Sequence, residues 1–177
     1  MRAAWLALVL LATPALAQVS EPEGYRMDHY RGPVPEALEG GTVLGPEDAH
    51  ALWEAGGMAF IDVLPRAPKP ENLPEGTIWR EKPRESIPGA IWLPNVGYGA
   101  IAEETAAYFR AGLEKATAGD KAHPVTIFCL DECWMSWNAA KRALEWGYSN
   151  VYWLPGGTDG WVFYDFPTEV VEAEAGG

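Results

Sequence analysis

Cysteine is nearly missing from this chain. There are two in 177 residues, Cys129 and Cys133, so a fold stapled by several disulfides is excluded. Cations are also few. Thirteen Lys and Arg stand against 25 Asp and Glu, a formal charge of −12, which argues against nucleic acid or an anionic lipid surface as partner. No apolar run is long enough to cross a bilayer; the longest, Ala3 to Ala12, falls well short. Internal repeats are absent too, and the three histidines, His29, His50 and His123, stand at no metal-motif spacing from the cysteines. Zinc normally needs four ligands, so two thiolates alone are a poor site for it.

What is present begins with a charged and apolar start. Met1-Arg2, an apolar run and Ala15-Leu16-Ala17 read as a signal peptide over residues 1–17, cleaved to leave Gln18 first. The expectation is a protein exported to the periplasm, with no membrane span after cleavage and with disulfides permitted by its compartment. Residues 18–41 read as an irregular lead-in punctuated by Gly32-Pro33-Val34-Pro35 and Gly40-Gly41.

From there strands and helices alternate. Thr42-Val43-Leu44 reads as a strand; Pro46 with Glu47 and Asp48 opens a helix that Gly56-Gly57 stops. Met58 to Val63 reads as a buried strand. Residues 64–88 carry six prolines and five cations (Arg66, Lys69, Arg80, Lys82, Arg84) and read as a long exposed loop, the least acidic surface of the chain. Ala90 to Leu93 is a strand, Ala102 to Ala116 a helix, Val125 to Phe128 a strand, Ser136 to Trp146 a helix, and Val151 to Leu154 the last strand. A helical turn follows over Thr158 to Trp161, and residues 163–177 read as a frayed tail. Alternation of this kind predicts an α/β fold, a parallel sheet flanked by helices on both faces, with ligands bound beyond the carboxyl ends of the strands.

Both cysteines fall at such an end, in Phe128-Cys129-Leu130-Asp131-Glu132-Cys133-Trp134. A strand, a short loop and a helix start bring main-chain N–H groups together and add the positive end of a helix dipole. A thiol there ionises more readily, and the thiolate is the reactive form. Cys129, at the strand end, is the expected nucleophile. Cys133 is close enough in sequence to bridge to it. A five-residue ring adds only about 2 kcal/mol in the loop-entropy model, so reversible chemistry explains the pair better than stapling. Asp131 and Glu132 oppose ionisation if they point inward. Leu130, Met135, Ser136 and Trp137 complete the expected active-site loop. Trp134 is read either as core or as a pocket mouth facing a partner. Three alternatives stay open: two merely buried thiols, a soft-metal site, and a non-catalytic binding module.

The region 42–162 resembles a rhodanese-like domain. The carrying segments, in order, are Phe60-Ile61-Asp62-Val63, Ile87-Pro88-Gly89-Ala90, Val125 to Cys129, Gly147-Tyr148 with the strand to Leu154, and Gly156-Gly157-Thr158-Asp159-Gly160-Trp161. The cysteine segment through Arg142 is similar to the PQQ-dependent catabolism-associated CXXCW-motif branch, although three residues, not two, separate these cysteines. The resemblance implies a periplasmic protein with sulfurtransferase or thiol–disulfide chemistry. In it Cys129 attacks or carries sulfur, Cys133 resolves, and the amides from Trp134 to Trp137 hold the charge. It also implies a partner in a PQQ-dependent dehydrogenase or cytochrome system; the expected approach is over Trp134 and the 64–88 loop, and no cofactor is expected in this chain. Two positions depart from the pattern: Met135 stands near a usual arginine, and Ser86 replaces a histidine often found before Ile-Pro-Gly-Ala.

Overall fold

The computed structural model describes residues 19–176. The expected signal peptide, 1–17, lies outside them. Among the described residues no helix is long and apolar enough to cross a membrane.

Among the described residues eleven elements follow one another: β1 (Thr42–Val43), α1 (Pro46–Ala55), β2 (Ala59–Asp62), β3 (Arg84–Ser86), β4 (Ile91–Trp92), α2 (Glu103–Thr117), β5 (Val125–Phe128), α3 (Trp134–Glu145), β6 (Val151–Leu154), α4 (Gly157–Phe163) and β7 (Glu169–Val171). Five strands form one parallel sheet in the order β1-β6-β5-β2-β4. β5 lies at its centre, with Val125 to Phe128 paired to Ala59 to Asp62 on one side and to Val151 to Leu154 on the other. All four β5 residues are buried, as befits a strand covered on both faces.

Strand side chains alternate between the faces. Ile61, Val125, Ile127, Val151 and Trp153 point to one core, closed by Phe109 and Leu113 of α2 and by the inner face of α3. Phe60, Phe128 and Leu154 point to the other, closed by Ala49 of α1 and Trp161 of α4. Ala139, Ala140 and Ala143 are fully buried along α3, so small side chains let that helix settle on the sheet.

Three expectations change. The long loop is not structureless throughout, because it contains β3. The tail is not frayed, because β7 pairs antiparallel with β3, matching Arg84 to Val171 and Ser86 to Glu169. Ala173 then bridges Trp92, and Lys115 binds Glu174 at 2.7 Å. The lead-in is irregular but lies across the molecule: Arg31 forms an antiparallel bridge with Cys133.

Candidate functional site

Parity decides where Cys129 goes. It continues the Val125, Ile127 series, so its side chain enters the core beneath α3 and is fully buried. Its carbonyl oxygen accepts the Thr158 amide at 3.0 Å. Gly157 makes that approach possible: its φ is +50°, and a Cβ there would stand 2.5 Å from the Cys129 oxygen.

The chain then turns through Leu130, Asp131 and Glu132. Asp131 N–H donates to Asp159 Oδ2 at 3.0 Å, and Glu132 adopts a positive φ of 49°. Both acidic side chains are exposed, so solvent screens them from the sulfurs. Helix α3 starts at Trp134, two residues before the start expected at Ser136, and Cys133 is its N-cap. The Cys133 side chain therefore stands at the positive end of a twelve-residue helix.

The two thiols are chemically unequal. Cys133 is pushed down to about 6, first by the Cys129 S–H directed at it and then by the amides of Met135, Leu130 and Ser136, with burial opposing. Burial pushes Cys129 well up, and the neighbouring Cys133 and Asp62 add to the rise. No amide closes an ordinary cap hydrogen bond on the Cys133 side chain, so they act on its sulfur as converging dipoles. The N–H groups at the start of α3 converge on Cys133, and both sulfurs are buried, Cys133 at 3% exposure and Cys129 at 0%.

Of the other loop residues, Leu130 supplies an amide to the thiols and lines a cavity of about 810 Å³, together with Arg84, Trp92, Thr158, Asp159 and Phe163. Neither cysteine lines that cavity. Met135 is buried and brings no charge to the position where an arginine is usual. Ser136 is buried in a relay: Trp153 Nε1–H donates to Ser136 Oγ at 2.9 Å, and Ser136 Oγ–H donates to the Cys133 carbonyl at 2.9 Å. Trp137 is core, its Nε1–H on Ala37 O at 3.3 Å. Trp134 is largely core but also lines a cavity of about 580 Å³ with Arg26, Met27 and Asp28. It is 3% exposed, packs edge-on to Trp137, and donates from Nε1 to Pro33 O at 3.1 Å.

Sequence reasoning missed a buried polar group beside the pair. Asp62 ends β2, fully buried, and accepts from Arg84 Nε at 2.7 Å and from Ser86 Oγ at 2.6 Å. Arg84 Nη2 continues to Thr158 Oγ1 at 3.2 Å, and Thr158 donates its amide to Cys129 O. Burial raises the Asp62 carboxyl, with Arg84 opposing. Ser86 thus has a partner that its place in the motif did not disclose. The available signal was an acid closing an otherwise apolar strand, which demands a buried partner. Among the described residues no group of three or more His, Cys, Asp or Glu side chains assembles as a metal site. His50 stacks on Phe166 with ring centroids 3.9 Å apart, and its ring lies beside Trp161 in the core on the other face of the sheet.

The model of the rhodanese-like domain matches residues 45–163. No curated protein matches the chain. Among solved structures it is similar to a thiosulfate sulfurtransferase from Pseudomonas aeruginosa, at 20% identity and a TM-score of 0.52 over 77% of this chain. The match covers 21% of that protein, so the chain corresponds to about a fifth of its length. It is also similar to a polysulfide-sulfur transferase from Wolinella succinogenes, at 18% identity and a TM-score of 0.49, covering 77% of this chain and 84% of that one. At these identities the likeness is one of fold. A family match over two thirds of the chain, on a parallel sheet whose central strand ends at a cysteine, is decisive: the chain belongs to the rhodanese-like domain family.

Proposed function

We propose that this protein carries out thiol–disulfide exchange with the Cys129/Cys133 pair, Cys133 acting as the attacking thiolate and Cys129 as the resolving thiol. The observation that carries this reading is geometric: two buried thiols stand side by side, and one of them, Cys133, is the N-cap of a twelve-residue helix whose amides favour its thiolate, while burial favours the protonated form of Cys129. Thiolates of this kind are good attackers at neutral pH.

The Cys133 thiolate attacks one sulfur of an incoming disulfide; a mixed disulfide forms and one substrate thiolate leaves. The Cys129 S–H gives its proton to the second departing thiolate as its own sulfur attacks Cys133. The substrate disulfide is reduced, and the pair is oxidised to a Cys129–Cys133 bridge. An external dithiol resets it. A persulfide on Cys133 would be discharged by the same second step, releasing hydrosulfide.

The setting is read from the sequence. The leader over residues 1–17 supports export to the periplasm, and the CXXCW resemblance supports service to a PQQ-dependent dehydrogenase or its cytochrome partner. The Pseudomonas protein is named for sulfur transfer from thiosulfate. Here Met135 leaves the loop without the cation that would hold such an anion, which favours disulfides over thiosulfate. A second reading, a binding module without turnover, is favoured by one observation: both sulfurs are buried.

Intact mass of protein taken from periplasm without reductant separates them. The exchange reading predicts a fraction lighter by two hydrogens, with the bridge mapped to Cys129 and Cys133. Two free thiols in every molecule, together with normal growth of Cys133→Ser cells on the alcohol substrate, would leave the binding module.

A further inference from the structure

The sulfur pair is closed on two sides, and the two closures differ in kind. On the cavity side, the turn after β5 is locked to the turn after β6. Thr158 N–H binds Cys129 O, Asp131 N–H binds Asp159, and Gly157 packs against the Cys129 carbonyl. Both turns are anchored in the central sheet, so opening there means pulling strands apart.

The opposite side is covered by the lead-in, which belongs to neither sheet. Gly32 N–H donates to Glu132 O at 3.0 Å, and Trp134 N–H donates to Tyr30 O at 2.9 Å, so an extended segment lies over Cys133. Its remaining ties are single side-chain contacts: Gly99 N–H donates to Tyr30 Oη at 3.1 Å, and Tyr30 packs edge-on to Tyr98. Asn138 Oδ1 accepts the Arg26 amide and Asn138 Nδ2 donates to Arg26 O, both at 2.9 Å. Trp134 and Trp137 reach Pro33 and Ala37. Between Asp28 and Ala37 only Pro35 is buried, and most of the segment faces water. Segments with few buried contacts and a handful of hydrogen bonds open at far lower free energy than sheet cores.

We propose that residues 28–37 form a removable strap that gates Cys133: the sulfur meets another sulfur only when the strap lifts from the Glu132–Trp134 edge. This rests on the exchange reading above and adds its regulation. The strap keeps a reactive thiolate from indiscriminate oxidation, and a partner that displaces it gains access.

The test is alkylation of the reduced full-length protein by iodoacetamide near neutral pH, mapped by peptide mass. Wild type is compared with Gly32→Pro/Asn138→Ala. Proline removes the Gly32 donor and cannot adopt that residue's φ of +150°, and alanine releases Arg26 along with the Asn138 bond to Gly97 O. Hydrogen exchange at the Trp134 amide reports whether the strap is off. The strap predicts Cys133 alkylation faster by on the order of tenfold in the variant, as expected for a net loss of one or two hydrogen bonds. Equal, fast rates in both proteins overturn the gate and leave the exchange reading standing. No alkylation in a variant whose Trp134 amide exchanges freely overturns both. A Trp134 amide still protected in the variant also ends the proposal, since the segment is then fixed core. Should the variant not fold, wild type answers alone. Alkylation that tracks Trp134 exchange in mild urea supports the gate, and alkylation that tracks Ile127 exchange contradicts it.

Discussion

Cys133 and Cys129 differ because one sits at a helix start and the other at the parity of a core strand. Their titration should show it. Alkylation of Cys133 against pH should follow a midpoint near 6, and Cys129→Ala, which removes the S–H donor, should move that midpoint upward. A midpoint unchanged by Cys129→Ala would mean that the helix end alone sets the acidity. Stability is linked in sign. A thiol whose folded pKa is depressed adds stability above its unfolded value of about 8.5 and loses it as pH falls through the folded value. The advantage of wild type over Cys133→Ser should therefore grow between pH 6 and about 8.5, at no more than ~1.4 kcal/mol per unit. Denaturant melts of the reduced proteins across that range measure it.

The Ser136 relay belongs to the same scale. Ser136→Ala leaves the buried Trp153 Nε1–H without its acceptor and should destabilise by about 1–3 kcal/mol in a urea melt. The sequence displayed the cysteines openly but concealed their inequality. Counting parity from Val125 and Ile127 would have put the Cys129 side chain into the core. The identity of the N-cap stayed hidden because cysteine is not among the residues that mark a helix start.

At the scale of elements, the parallel sheet was legible and its small partner was not. β5 and β6 read directly from apolar, β-branched and aromatic runs. β3 is Arg-Glu-Ser, with no strand signature of its own, and it exists because β7 pairs with it. Tertiary contact overrode local preference there. The pairing has an energetic centre in Arg84, the partner of buried Asp62. Arg84→Leu would leave that carboxylate unpaired and should cost about 3–5 kcal/mol at neutral pH. Part of the loss should be recovered in acid, because burial already raises the Asp62 carboxyl and a proton can replace the arginine. Thermal melts of Arg84→Leu at neutral and mildly acidic pH would read this, and a deficit independent of pH would assign the loss to packing alone.

For the molecule as a whole, both ends of the described chain belong to the fold. The lead-in covers the cysteine loop, and the tail completes the second sheet and pairs Glu174 with Lys115. Neither role shows in composition, since irregular backbone held by scattered hydrogen bonds has no periodicity to read. Removing residues 168–177 should expose β3 and lower the melting temperature, while removal of a tail that was merely frayed would leave it unchanged.

The dithiol is tested most directly by adding a small excess of a chromogenic aromatic disulfide to the fully reduced protein and counting the thiols released. The account predicts two released thiols per protein molecule, with rapid clearance of the mixed disulfide and a bridge between Cys129 and Cys133. One released thiol and a lasting mixed disulfide on Cys133, or no reaction with the strap displaced, would contradict it.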